Sequence, residues 1–227
     1  MKYMIHSCNK RLWYVKKYLI PSMLEQGIKL EDIILWNDFF SVGNQQSWYN
    51  SCKYIKLCEP LNKGMWHLTD DVIISHNFYP RTKRVPNNLN IRCGFVTHKF
   101  NPRNKPFTGV QPLSKCWRSF PCIYIPNQYA AEFVDWYDKV VIQEKQFQKE
   151  YEGGNDDDTL FLACLGQLHP AIRTINLAPC LVDHIDYLIG GSVLFDRKNE
   201  IHRACYLSDA DKILVNELAK KLQEEDK

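Results

Sequence analysis

The strongest constraint on this chain is a repeated pattern: a short apolar run that stops abruptly at polar residues. Tyr3-Met4-Ile5-His6 stops at Ser7, Asp32-Ile33-Ile34-Leu35-Trp36 at Asn37-Asp38, and Met65-Trp66-His67-Leu68 at Thr69-Asp70-Asp71. Each run has the length and content of a buried strand. A helix is expected between the first two, from about Lys10 to Gln26. Asn9 is placed to cap it, Leu12, Val15, Leu19 and Met23 line one face, Pro21 bends it and Gly27 stops it. A second helix is expected over 44–54. Strands alternating with helices predict an α/β fold: a mixed, mostly parallel sheet flanked by helices.

The rest of the chain continues in the same style. Strand character returns at 91–96 and 119–125, and Asn127 precedes a long helix over 128–151, broken at Gly153-Gly154. A short apolar helix follows at 159–168, then an extended segment at 178–184. Ser208 and Asp211 form a capping box for a last helix through Leu222. No repeat or linker divides the 227 residues, so one domain over 1–227 is expected.

Composition excludes several classes. With 45% hydrophobic and 24% charged residues the chain is globular rather than disordered. It lacks an uninterrupted apolar stretch long enough to span a bilayer, and the opening Met1-Lys2-Tyr3-Met4 runs straight into polar sequence. A cytoplasmic protein is expected. Nine cysteines occur with no C-x-x-C pair, which predicts buried free thiols in a reducing compartment rather than a zinc site.

Charge is unevenly spread. Between Asp71 and Glu132 lie Arg81, Lys83, Arg84, Arg92, Lys99, Arg103, Lys105, Lys115 and Arg118, nine basic groups against no acidic one. The remainder carries 29 − 9 = 20 basic against 26 acidic residues. A positive, proline-rich segment on a negative body attracts polyanions; a solvated basic loop without a partner is the plainer alternative.

In such sheets ligands bind beyond the carboxyl ends of the strands, where His6-Ser7, Asn37-Asp38 and Asp70-Asp71 fall. G-x-G-x-x-G and G-x-x-x-x-G-K-[ST] are both absent, so the glycine loops that cradle phosphates are missing. A divalent cation held by carboxylates is the usual substitute, and Asp70-Asp71 can supply it. The competing possibility is that one of them merely caps a helix over 72–74. Asp156-Asp157-Asp158 place three repelling carboxylates at a helix start; capping accounts for one, and the surplus can supply a general base. His184, in Pro179-Cys180-Leu181-Val182-Asp183-His184, is either a satisfied core residue or a ligand. Neither H-E-x-x-H nor G-x-S-x-G occurs, so zinc proteolysis and serine hydrolysis lack support.

Four segments together resemble a GT-A type nucleotide-sugar glycosyltransferase of the compact, bacteriophage-like kind: 3–7, 66–73, 154–158 and 179–184. In that superfamily a D-x-D type motif closes a strand and binds metal and nucleotide. Here Thr69 stands where the first Asp would be. The resemblance implies Mn²⁺ or Mg²⁺ held by Asp71, Asp70 and His184. It implies that His6, Ser7, Arg11, Asn37, Asp38 and Asp70 bind a donor such as a UDP-sugar, and that one of Asp156, Asp157 and Asp158 deprotonates the acceptor. The basic segment 81–118 would form the acceptor side, with Arg81, Lys83, Arg84, Lys99, Arg103, Lys105 and Trp117 meeting a polyanion. The expected acceptor is a hydroxymethylated base in double-stranded phage DNA, flipped out of the duplex. A surface saccharide or its lipid-linked precursor is the alternative acceptor. Two other classes combine some of these features: a non-catalytic DNA-binding module, which has no need of the Asp cluster, and a metal-dependent nuclease, which would cut DNA without a sugar nucleotide.

Overall fold

The structure is a computed structural model that describes residues 1–39, 44–85, 90–95, 109–112, 121–146, 157–189, 204 and 207–225. The strands are β1 (Lys2–Cys8), β2 (Ile33–Asp38), β3 (Gly64–Thr69), β4 (Val72–Ile74), β5 (Ile91–Cys93), β6 (Gly109–Pro112), β7 (Cys122–Pro126), β8 (Arg173–Asn176) and β9 (Val182–His184). Seven of them form one sheet in the order β2-β1-β3-β7-β5-β8-β6, while β4 and β9 pair separately. β1 lies parallel to both β2 and β3, and β5 parallel to β8; β7 and β6 run against their neighbours. Five of the seven strands therefore share one direction, and the fold is a mixed α/β sheet, as the alternating pattern predicts.

Helix α1 follows β1 as Leu12–Tyr14, a wider π-wound Val15–Leu19 and Ile20–Glu25 in unbroken succession. Pro21 falls where the π-wound turn gives way to the last α-helical piece, and without an N–H it makes no intrahelical bond there. Gly27 stops α1 as expected. Its φ is +90°, its N–H reaches Leu24 O, and Ile28 N–H reaches Met23 O. Asn9 does not cap α1. The cap position is Arg11, without a side-chain cap bond, and the Asn9 amide instead donates to Phe39 O and accepts from Asn37, tying the ends of β1 and β2 together.

Helix α2 (Asn44–Cys58) links β2 to β3, and a short α3 (Phe78–Thr82) follows β4. The helix expected over 128–151 is α4 (Asn127–Trp136), continued as a π-wound Tyr137–Gln143 and stopped at Lys145, whose φ is +54°. The glycine pair 153–154 lies outside the described residues. Helix α5 is Asp157–Leu168 and the terminal helix α6 is Asp209–Glu225. The capping box at α6 is present in altered form. Asp211 N–H donates to Ser208 Oγ, whose hydroxyl donates to the Asp211 carboxylate. That carboxylate also accepts from the backbone N–H of His76 at 2.8 Å and lies 2.9 Å from its Nδ1, fastening α6 to the β4–α3 turn.

The central strands β1, β3 and β7 bury both faces, which is why their sequences are apolar without alternation, while the edge strand β2 is half-buried along its length. Met4, Met65, Ile123 and Ile125 pack with Trp48, Phe133 and Phe161 of α2, α4 and α5. Tyr3, Ile5, Trp66 and Leu68 pack on the other face with Tyr14, Leu19 and Met23 of α1, and with β4 and β9. Gly64 is required at the start of β3, because a Cβ there would sit 2.5 Å from Tyr124 Oη and 2.7 Å from the Ile125 carbonyl. Gly64→Ala is expected to lower unfolding free energy by roughly 1–3 kcal/mol, read from urea denaturation, since the backbone carbonyl cannot yield as a side chain can.

Candidate active site

The order β2-β1-β3 makes a topological switch point, because the chain leaves β1 for one side and later returns on the other. The crevice outside the carboxyl ends of β1 and β3 is where such sheets take ligands. Arg11, Thr69, Asp70 and Asp71 converge there. Asp70 and Asp71 are each 5% exposed, and Arg11 is likewise 5% exposed.

Arg11 supplies the local positive charge. Its Nη1 donates to Asp70 Oδ1 at 3.1 Å and also to Asp71 Oδ2. Asp70 Oδ2 further accepts the backbone N–H of Cys8 at 2.9 Å, so the end of β1 is fastened to the turn after β3. His184 approaches from far along the chain, and strand register brings it there. Val72 pairs with His184 across β4 and β9, and Ile185 N–H donates to Asp71 O at 2.8 Å. His184 Nε2 consequently lies 3.1 Å from Asp71 Oδ2, with Asp186 Oδ1 3.5 Å from its Nδ1. Residues 72–74 are a strand, which removes the possibility that Asp70 or Asp71 caps a helix there.

The two carboxyls are driven apart. Burial raises Asp70, and the neighbouring Asp71 charge adds to this beyond what Arg11 and the Cys8 N–H offset. Burial also opposes ionisation of Asp71, but His184 and Arg11 outweigh it and hold this carboxyl well below the usual range. His184 answers in kind: burial lowers it, yet the charge of Asp71, its hydrogen bond and Asp186 leave it raised. Asp71 is thus the permanent anion of the pair, and Asp70 is the member nearer to taking a proton.

These residues suit a hard divalent cation. Asp71 Oδ1 and Thr69 Oγ1 are buried with no hydrogen-bond partner among the described residues, although the hydroxyl is near enough to help lower Asp71. The two oxygens are of the type that Mn²⁺ and Mg²⁺ accept, and His184, whose Nε2 faces Asp71 Oδ2, could add a nitrogen only as the neutral ring turned from that carboxylate. Among the described residues, no three His, Cys, Asp or Glu side chains gather closely enough to form a complete metal shell. A cation at Asp71 would draw its remaining ligands from outside the acidic and imidazole groups. Asp70, bound by Arg11 and Cys8, is less available than the sequence suggests.

Beneath the crevice His6, an expected donor-binding residue, is paired with His67, which the sequence did not single out. His6 Nε2 is 3.0 Å from His67 Nδ1, and both rings contact Trp48 at centroid distances of 4.9 Å. Trp48 in turn meets Phe161 edge-on, one turn into α5. Burial pushes His6 down to about 3 and His67 well below its usual value. Histidines kept neutral in the fold but protonated when unfolded remove stability as pH falls. The loss begins near the unfolded value of about 6.5 and runs toward 3. His6→Asn is therefore expected to flatten the decline of melting temperature across that window relative to the wild type.

The other expected site residues are distributed as follows. Ser7 Oγ donates to Cys8 O, Asn37 is bound to Asn9, and Asp38 closes β2. Asp157 and Asp158 are the first residues of α5; Asp156 lies outside the described residues. Arg81 Nη2 donates to Pro179 O at 2.7 Å, and burial lowers its pKa, so this guanidinium braces the segment before β9. Lys83 lies over the Tyr79 ring at 5.1 Å and Arg84 is exposed. Lys99, Arg103, Lys105 and Trp117 lie outside the described residues.

No family model and no curated protein matches the chain. Solved structures that resemble it include a glycosyltransferase involved in the glycosylation of the major capsid of PBCV-1, at 9% identity, 82% of each chain covered and a TM-score of 0.41. The glycosyltransferase GlyE of Streptococcus pneumoniae TIGR4 matches at 9% identity over 97% of this chain and 64% of its own, with a TM-score of 0.46. The galactosyltransferase LgtC, in complex with donor and acceptor sugar analogues, matches at 11% identity over 97% and 96%, also with a TM-score of 0.46. These are distant likenesses of chain path, and the functional reading rests on the site itself.

Proposed function

We propose that this chain is a glycosyltransferase, a hexosyl- or pentosyltransferase that moves a sugar from a nucleotide sugar to an acceptor hydroxyl. The observation that carries the reading is the buried Asp70-Asp71 pair at the switch point, joined by Arg11 and by a histidine delivered from β9. Such a site can hold a diphosphate without a glycine loop. Asp71 and His184, with Thr69 beside them, would hold Mn²⁺ or Mg²⁺, which supplies Lewis-acid stabilisation of the departing diphosphate. Asp70 keeps Arg11 and the end of β1 in register. His6, Ser7, Asn37 and Asp38 line the strand ends where base and ribose would lie. One of Asp156, Asp157 and Asp158 takes the acceptor proton as the acceptor oxygen bonds to the sugar carbon. In the same displacement the bond from that carbon to the diphosphate oxygen breaks, releasing a nucleoside diphosphate.

The acceptor we favour is a hydroxymethylated base in duplex DNA, as in phage DNA modification. The support is the charge of 81–118, which would form the acceptor side of one catalytic domain over 1–227. The described cysteines are all free thiols, in keeping with a cytoplasmic setting, and no helix among the described residues is long and apolar enough to cross a membrane. Two measurements test the reading. A thermal-shift panel of sugar nucleotides with and without Mn²⁺ is expected to show stabilisation by one nucleotide class, and no response to any member contradicts the donor assignment. Gel shifts on duplex DNA across a salt series are expected to show binding that weakens steeply with salt. Salt-insensitive or absent binding removes DNA and leaves the saccharide acceptor.

A further inference from the structure

His67 takes no part in the carboxylate site, yet it is 1% exposed and sits under the crevice. One nitrogen, Nδ1, faces His6 Nε2 at 3.0 Å. The other, Nε2, is buried with no hydrogen-bond partner among the described residues. No carboxylate is hydrogen-bonded to either ring among the described residues, and at 3.0 Å a single proton occupies the contact between them, so each neutral ring carries one N–H.

Two arrangements satisfy that contact. In the first, His6 donates from Nε2, and His67 must carry its own proton on Nε2, as a buried N–H with nothing to receive it. In the second, His67 donates from Nδ1, and its Nε2 is a bare lone pair. A buried N–H without an acceptor is the rarer orphan in folded proteins. The second arrangement leaves His6 with its proton on Nδ1. His6 keeps partial exposure while its Nε2 is turned inward onto His67, so Nδ1 is the nitrogen left for a ligand.

We infer that His67 is a positioning residue that fixes His6 as its Nδ1–H tautomer, so that His6 offers a permanent hydrogen-bond donor to an acceptor oxygen of the bound nucleotide. The ligand in this statement rests on the nucleotide-sugar reading above; the tautomer does not. A ring free to exchange tautomers would present a donor only part of the time. The locked pair therefore selects for an oxygen acceptor, such as a base carbonyl, over an N–H at the same place.

Long-range ¹H–¹⁵N correlation of the imidazoles in the ¹⁵N-labelled full chain tests the tautomer directly. The expected spectrum shows His6 protonated at Nδ1 and bare at Nε2. A proton on His6 Nε2 in the wild-type protein overturns the inference. His67→Asn places an amide N–H where Nδ1–H stood and is expected to keep the His6 tautomer; His67→Leu is expected to lose it. Calorimetric titration with UDP, GDP and CMP then reads the consequence. The nucleotide that binds the wild type is expected to bind His67→Leu about fivefold more weakly and His67→Asn nearly as well as the wild type. Unchanged affinity in a folded His67→Leu protein contradicts the positioning role. A wild type with the expected spectrum that binds none of the three contradicts the nucleotide reading and leaves the tautomer standing.

Discussion

Replacing Arg11 with methionine is expected to lower the melting temperature by about 10 °C. Arg11 bridges two carboxylates that are each 7% exposed at the side chain, and its own side chain is 6% exposed. Methionine fills similar volume but leaves those acids without a guanidinium. Breaking a buried ion pair on one side costs roughly 3–5 kcal/mol, and for a chain of this size each kcal/mol moves the melting temperature by about 2–4 °C. The sign of the pH dependence follows from Asp70. Its carboxyl is already raised by burial and by Asp71, and loss of Arg11 raises it further. A carboxyl with a raised folded pKa penalises the fold once it ionises, so the defect should grow as pH rises through that value and shrink in acid. Adding Asp70→Asn to Arg11→Met should recover part of the loss, because it removes one of the two stranded charges. Thermal denaturation of the two single variants and the double variant reads that coupling. Strict additivity would mean that Arg11 and Asp70 do not act together.

Asp71→Asn is expected to leave the fold intact and to reduce sugar transfer by about 10³-fold. The amide is isosteric, and its oxygen can still accept from Arg11. What it loses is the anion that His184 and Arg11 jointly stabilise. A neutral group there can neither pair with His184 nor neutralise a divalent cation. Interactions aimed at charge that develops on a leaving group are worth about 10²–10³ each, and in the proposed site Asp71 would serve both the cation and the histidine. Product formation from a labelled nucleotide sugar measures the loss, with circular dichroism confirming the fold. Asp70→Asn should be milder, since Asp70 is occupied by Arg11 and the Cys8 N–H. Equal losses in the two variants would mean that both aspartates reach the donor.

The half of the fold that carries the crevice was legible because its signals are local. Each of β1, β2 and β3 is an apolar run with polar residues at its carboxyl end, and parallel strands joined by helices follow from that alternation. The second half was less legible because its pairings are not local. β8 is only four residues long, with the exposed Arg173 at its head, and β6 lies inside the basic segment. The small sheet that carries His184 to Asp71 depends on register between residues distant in sequence, which no periodicity reveals.

The candidate site divides along the same line. Asp70, Asp71 and His184 stood out by type and placement, and the structure brings Asp71 and His184 together. The bridging role of Arg11 was not legible, because a single arginine in the first turn after a strand looks like a surface residue until its burial is seen. His67 was hidden for the opposite reason: a histidine inside an apolar strand reads as core, and only its unpartnered Nε2 and the facing His6 distinguish it. Asn9 misled because a cap and a strand-end clamp call for the same side chain.

Isothermal titration of the stabilising nucleoside diphosphate, in Mn²⁺ and again in EDTA, against the wild type and Asp71→Asn asks whether Asp71 anchors an activated sugar through a cation. Tight binding by the wild type in Mn²⁺, with about a hundredfold loss in EDTA and a similar loss in Asp71→Asn, is the expected result. Wild-type affinity in the Asp71→Asn protein would contradict it.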